Sequence, residues 1–288
     1  AIAFIGTLTA PPIAGVLVMA GLVMLGLGLS AGAGYQVIAR SPRTLSAYRG
    51  PSPVIVFGVL FVFANAVGLA MLVLGLGDLE TVRGFIVGAA TLFVGYLVSV
   101  WLFVIRTGAL SWRDMGLPRR QGLADLLGAV GLGVAVMVPV TFIALIAGGL
   151  TAQLVNARPP EVVPIPTGMG ETLAVGAAAA VLVPIGEEVF FRGYALTAWL
   201  RDLGPRAALI RSAFFFTLVH IANITAGFEE GARQALVQSA VILPLGFVLG
   251  WLFLQRGLMA AVAAHVTYNA TILVLASLAQ RFVPSPAG

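Results

Sequence analysis

The chain has 288 residues, 60% of them hydrophobic and only 9% charged, with a mean hydropathy of +1.05. That balance excludes an ordinary soluble domain and a disordered chain, and describes an integral membrane protein. The absence of cysteine excludes a disulfide framework, a thiol nucleophile and a thiolate metal site.

A spanning helix needs roughly 20 mainly apolar residues. On that rule eight segments are predicted, at 10–33, 53–77, 84–106, 123–148, 170–190, 207–226, 234–254 and 258–280. The runs are too long and too uniformly apolar for membrane strands, which alternate. The expected fold is therefore all-α, a polytopic membrane bundle of about eight transmembrane helices. The first segment is longer than a signal-peptide core and has no basic flank before it, so it reads as a retained span.

The formal net charge of +5 is carried by arginine, because the chain has no lysine. Eleven arginines follow segments one, three, five and seven: Arg40, Arg43, Arg49, Arg106, Arg113, Arg119, Arg120, Arg201, Arg206, Arg211 and Arg256. Four lie on the other side, at Arg83, Arg158, Arg233 and Arg281. The positive-inside rule then puts the arginine-rich loops in the cytoplasm of a cell membrane and both termini outside. These arginines read as topology signals and anionic-lipid contacts, with no basic-aromatic pattern for nucleic acid.

The polar intervals are 35–52, 107–122 and 151–170, the last containing Pro159, Pro160, Pro164 and Pro166. It divides a charge-poor stretch, 1–165, read as a membrane scaffold, from 166–282, read as the functional core. Pro139, Pro184 and Pro244 fall inside spans and are candidate kinks. Pro184 precedes a carboxylate pair by three residues, so a bend is expected where the charges begin. Tyr194 to Arg201, with Trp199, is expected to extend that helix along the cytoplasmic interface.

Ionisable groups inside a span are costly and signal function by default. Glu187, Glu188 and Arg192 share one helix, in Gly186-Glu187-Glu188-Val189-Phe190-Phe191-Arg192. Glu188 and Arg192 are spaced i,i+4 and can pair, whereas Glu187 points about 100° away. Two carboxylates and one guanidinium leave one unmatched negative charge. A proton on one glutamate or an imidazolium must meet it.

The two histidines of the chain both fall downstream in apolar runs. His220 closes Phe216-Thr217-Leu218-Val219-His220, with Asn223 three residues on. His265 and Asn269 form an i,i+4 pair that presents an imidazole and an amide on one face, a donor set for an oxyanion. A base, a water-positioning imidazole and an anion-stabilising pair are what peptide hydrolysis needs without a serine or cysteine nucleophile.

The ordered motifs E-E-x-x-x-R, F-x-x-x-H and H-x-x-x-N, over roughly 170–275, resemble the CPBP family of intramembrane proteases. These are also called type II CAAX prenyl proteases or the abortive-infection domain family. The resemblance implies that Glu187 activates water and His220 helps hold it. It implies that Glu188 and Arg192 orient and charge-balance the site, and that His265 and Asn269 stabilise the oxyanion. No cofactor is required in the preferred expectation. The alternative is zinc on Glu187, His220 and His265 with one open position, although no H-E-x-x-H pair is present.

The expected partners are a membrane-embedded or membrane-associated protein substrate and the bilayer, reached through a hydrated cavity open to the cytoplasmic leaflet. Two other readings compete. One is a non-catalytic protein of the same fold, acting as an immunity factor or as a partner in a membrane complex. The other is a proton-coupled transporter with Glu187 and His220 as relay groups, against which stands the lack of repeat symmetry. Asn65 and Asn223 read as interhelical hydrogen-bond partners, and Phe214-Phe215-Phe216 as packing. Glu229, Glu230 and Asp78 read as loop residues. Counted from Arg206, His220 lies roughly 21 Å along its helix, against about 12 Å for His265 from Gly257. The helix of His220 must therefore start deeper, tilt, or enter from a water-filled cavity.

Overall fold

In lipid every backbone N–H and C=O must be paired within its own segment, so long apolar runs become helices. The computed structural model describes residues 12–44, 47–74, 81–117, 122–157, 163–164, 166, 168–221, 224 and 226–282. Asp78, Arg119, Arg120, Arg158, Pro159, Pro160 and Asn223 lie outside them. Among the described residues there are eight helices and no strand.

Helices α1 (Pro12–Arg40), α2 (Pro53–Val73) and α3 (Val82–Val100, closing in a π turn at Trp101–Ile105) are followed by α4 (Leu123–Val155). Next come α5 (Met169–Leu203), α6 (Pro205–Ile221), α7 (Phe228–Arg256) and α8 (Leu258–Phe282). Seven are long and apolar enough to cross a membrane. The eighth, α6, has 17 described residues, Pro205–Ile221, against the expected 207–226. The bundle is polytopic as expected.

Helix α4 packs on α7 and α8, α7 packs on α6, and α3 lies against the middle of α5. Small residues allow these approaches. A Cβ at Gly133 of α4 would lie 2.5 Å from the Ala260 carbonyl and 3.0 Å from the Ala264 nitrogen. The two backbones are therefore nearly in contact there. Pro139 and Pro244 sit within α4 and α7, which continue through them.

Helix α5 departs from α-geometry twice, with π turns at Ala178–Leu182 and Val189–Leu196 on either side of Val183–Glu188. Pro184 has no N–H to give the Ala180 carbonyl, and its ring would crowd that oxygen. Pro184 directly follows the first π turn, a local widening typical of functional sites. The helix runs on unbroken through Tyr194–Trp199. Those residues are buried in protein.

Arginine-rich connections gather at one end of the bundle. Arg43 pairs with Asp202 at 3.2 Å and Arg201 with Asp114 at 2.7 Å. The Tyr48 N–H donates to Asp202, and the Tyr194 hydroxyl donates to the Pro51 carbonyl. Burial opposes the charge of Asp114, but the Ser111 N–H and hydroxyl, then Arg201, outweigh it and hold this carboxyl below its ordinary value. The connections after α1, α3 and α5 are thus tied together by named pairs.

These contacts also resolve the depth mismatch. Glu187 lies sixteen residues before Leu203 and His220 fifteen after Pro205, so both sit about 22–24 Å from the hairpin turn at Gly204. Met115 meets Gly193, while Gly116 meets Gly257 and Leu258. The α7–α8 turn is therefore level with Gly193, ten residues before the end of α5. The α5–α6 hairpin reaches about 15 Å beyond it, which brings His265 level with His220 and Glu187.

Gly133→Ala is expected to destabilise the bundle by about 1–3 kcal/mol, because the added methyl meets backbone rather than a movable side chain. Gly128→Ala, whose Cβ meets nothing within 4 Å, is expected to be neutral or slightly stabilising. Thermal unfolding in detergent checks both.

Candidate active site

The buried charges begin on α5. Arg192 Nη1 donates to Glu188 Oε1 at 2.9 Å, as the i,i+4 spacing predicts, and both side chains are 0% exposed. The guanidinium is held on two further sides. Its Nη2 donates to the Gly246 carbonyl of α7 at 3.4 Å, and its Cζ stands 4.1 Å over the Phe216 ring of α6. A cation over a desolvated ring face is worth about 2 kcal/mol or more. Arg192 thus joins α5, α6 and α7.

Helix α8 joins through His265. Its Nδ1 lies 2.8 Å from the same Glu188 oxygen that Arg192 holds. An ionised carboxylate only accepts, so Nδ1 carries the hydrogen and donates it. His265 Nε2 is then directed to Glu187 Oε2, at 3.7 Å. His220 is arranged alike: its Nδ1 lies 2.8 Å from the Phe216 carbonyl, which can only accept. That leaves His220 Nε2 facing Glu187 Oε1 at 4.0 Å.

Two imidazoles from different helices therefore aim their Nε2 atoms at the two oxygens of one carboxylate. Both distances are too long for a direct hydrogen bond and suit a shared small molecule such as water. Neither histidine faces lipid alone. His265 is 3% exposed, and the Glu187 and His220 side chains keep 11% and 18% of their surface accessible.

Asn269 lies one turn beyond His265, and its Nδ2 donates to the Ala179 carbonyl at 2.8 Å. That oxygen sits in the first π turn of α5, where the widened ladder releases carbonyls. Ser212 and Thr197 likewise donate to the Phe191 and Arg192 carbonyls in the second π turn, at 3.4 and 3.3 Å. One N–H of the Asn269 amide is committed to α5, and among the described residues the other has no partner.

Sequence reasoning grouped Glu187, Glu188, Arg192, His220, His265 and Asn269, and all six fall within this one region. It treated Phe216 as plain packing, whereas this ring carries Arg192 and lies 4.4 Å from the His220 ring and 5.9 Å from that of His265. The signal was available, since Phe216 is the first position of F-x-x-x-H. Phe214, by contrast, is exposed. Among the described residues, Asn65 bonds the Phe61 carbonyl of its own helix. Glu229 and Glu230 are in the first turn of α7, paired with Arg233, rather than in a loop.

Glu187, His220 and His265 are also the zinc donor set that the sequence offers. Among the described residues, no three His, Cys, Asp or Glu side chains are grouped so as to hold a metal ion.

Residues 169–271 match the family model described as type II CAAX prenyl endopeptidase Rce1-like. The match begins at the first residue of α5 and ends in α8 just past Asn269. It is the same protease family that the three motifs resemble. No curated protein and no solved structure matches the chain. With seven apolar helices of spanning length, the protein is an integral, multi-pass membrane protein.

Removing one member of a buried ion pair strands the other. Arg192→Met is expected to cost about 3–5 kcal/mol by leaving Glu188 unbalanced. The double variant Arg192→Met with Glu188→Met is expected to recover most of that loss. Denaturant unfolding of the set in one detergent measures the coupling.

Proposed function

We propose that this chain, with its Rce1-like segment at residues 169–271, is an intramembrane endopeptidase acting on a membrane-associated protein or peptide. Charge balance supports a specific protonation state. Glu187 and Glu188 carry two negative charges, and Arg192 with a protonated His265 supplies two positive ones. His265 then donates from both nitrogens, through Nδ1 to Glu188 and through Nε2 towards the reaction centre.

In this state a water between Glu187 and His220 loses its proton to the Glu187 carboxylate as its oxygen attacks the scissile carbonyl. The His220 Nε2 lone pair accepts the other water hydrogen and orients the attack. Negative charge gathers on the former carbonyl oxygen, where His265 Nε2–H and the uncommitted N–H of Asn269 meet it. Glu187 passes its proton to the nitrogen of the breaking C–N bond, the amine leaves, and the carboxylate is restored. Glu188 and Arg192 hold His265 in its donating state throughout.

The single observation carrying this reading is the convergence of two imidazole Nε2 atoms on Glu187 at 3.7 and 4.0 Å, inside the family-matched segment. The arginine-rich end of the bundle is placed in the cytoplasm on the positive-inside rule, which puts both termini outside. The family description makes a prenylated peptide ending in a C-a-a-X sequence the first substrate to try.

Mass spectrometry of membrane-protein termini, in cells with wild type or Glu187→Ala at matched levels, tests the activity. New termini that require Glu187 are expected, and identical termini would overturn the protease reading in favour of a binding role. In purified enzyme Glu187→Gln is expected to lower kcat by about 10²–10⁴. A metal chelator is expected to leave the rate unchanged, and its loss on chelation would show that zinc chemistry operates instead.

A further inference from the structure

The region around Glu187 includes a polar group from outside the matched segment. Tyr96 of α3 is 3% exposed, and its ring lies against α5 beside the reaction centre. A Cβ at Gly186 would lie 3.1 Å from Tyr96 Cδ2, so the absence of a side chain there is what admits the ring. Ring contacts to Phe190 at 5.4 Å and Phe191 at 6.0 Å hold it on the following turn. Phe190 and Phe191 stand three and four residues after Glu187, so they share its side of the helix. The phenol lies within electrostatic range of the Glu187 carboxylate. Among the described residues no hydrogen bond ties its hydroxyl.

A phenol hydroxyl with no protein partner in an apolar bundle gains from a bond to a nearby acceptor, directly or through one water. The groups facing Glu187 are two imidazole nitrogens, and a carboxylate with two oxygens accepts more bonds than these supply. A neutral donor that neither adds nor removes charge fits that place without disturbing the two-against-two charge balance.

We propose that Tyr96 is a positioning residue of the reaction centre, its hydroxyl donating towards Glu187, directly or through one water, and holding the carboxylate in its water-activating orientation. This rests on the endopeptidase reading for its consequence in rate, but not for the contact itself. It assigns a part in the site to a helix from the stretch 1–165, which carries no family motif.

The test uses Tyr96→Phe, which keeps the ring and its packing and removes one oxygen. Full-length wild type, Tyr96→Phe, Glu187→Gln and Tyr194→Phe are reconstituted in lipid vesicles. Infrared difference spectra against Glu187→Gln isolate the Glu187 carboxyl band. That band is expected to shift in Tyr96→Phe and to stay in place in Tyr194→Phe, whose hydroxyl donates to the Pro51 carbonyl instead. An unmoved band in Tyr96→Phe overturns the proposal, whether or not the protein cleaves anything.

Hydrolysis of a quenched fluorescent peptide ending in a farnesylated C-a-a-X sequence supplies the second readout. Tyr96→Phe is expected to lower kcat about tenfold or more, with KM unchanged within about twofold, the size of effect that one lost hydrogen bond produces. A raised KM with unchanged kcat would overturn the positioning role and make the hydroxyl a substrate contact. Full activity in Glu187→Gln would sink the endopeptidase mechanism, while the infrared band would still decide the contact.

Discussion

A carboxylate and a guanidinium with no exposed surface, in the middle of an apolar bundle, face a desolvation penalty that their mutual attraction alone does not reliably offset. Glu188 and Arg192 are held because three other helices contribute to them. Helix α7 offers a carbonyl, α6 an aromatic face, and α8 an imidazole N–H. Each partner lowers the cost of the buried pair and is itself oriented by it. His265 is the clearest case, since the Glu188 bond on Nδ1 decides where Nε2 points. The geometry around Glu187 is thus a consequence of satisfying the charges next to it.

The backbone around the pair is adapted to the same end. The π turns flanking Val183–Glu188 change the angular register of α5, which alters the direction in which Glu187 and Glu188 project relative to an ideal helix. They also release carbonyls, and Asn269, Ser212 and Thr197 take them up. Such departures persist in lipid only where neighbouring side chains satisfy the freed groups. Asn269 therefore serves two purposes at once, joining α8 to the first π turn and carrying one spare donor beside His265.

Much of this was legible along the chain. Composition and run length are local properties, so they were enough for an all-helical membrane bundle and for most helix positions. Glu188–Arg192 was legible because i,i+4 spacing is a property of one helix. Where the reading failed, the competing force was tertiary. Phe216 was read as packing because a phenylalanine run carries no charge, although its ring takes Arg192 from the neighbouring helix. Tyr194 to Arg201 was expected to extend its helix along the interface because aromatic residues favour that depth; the helix does run on there, with Tyr194–Trp199 buried in protein.

By itself the sequence determined the solvent, the helix type and the identity of the ionisable groups, since each follows from residue chemistry and short-range periodicity. It also determined that Glu188 and Arg192 would meet. Only the tertiary structure decided that His265, 77 residues from Glu188, would share an oxygen with Arg192. It alone decided that Phe216 would carry the guanidinium and that the Tyr96 ring would pack against α5 at Gly186. The physical reason is that these contacts join helices whose spacing is set by where small residues let backbones approach. The relative depth of those helices is set by a hairpin reaching past its neighbours. Neither quantity is encoded in the periodicity of any single segment.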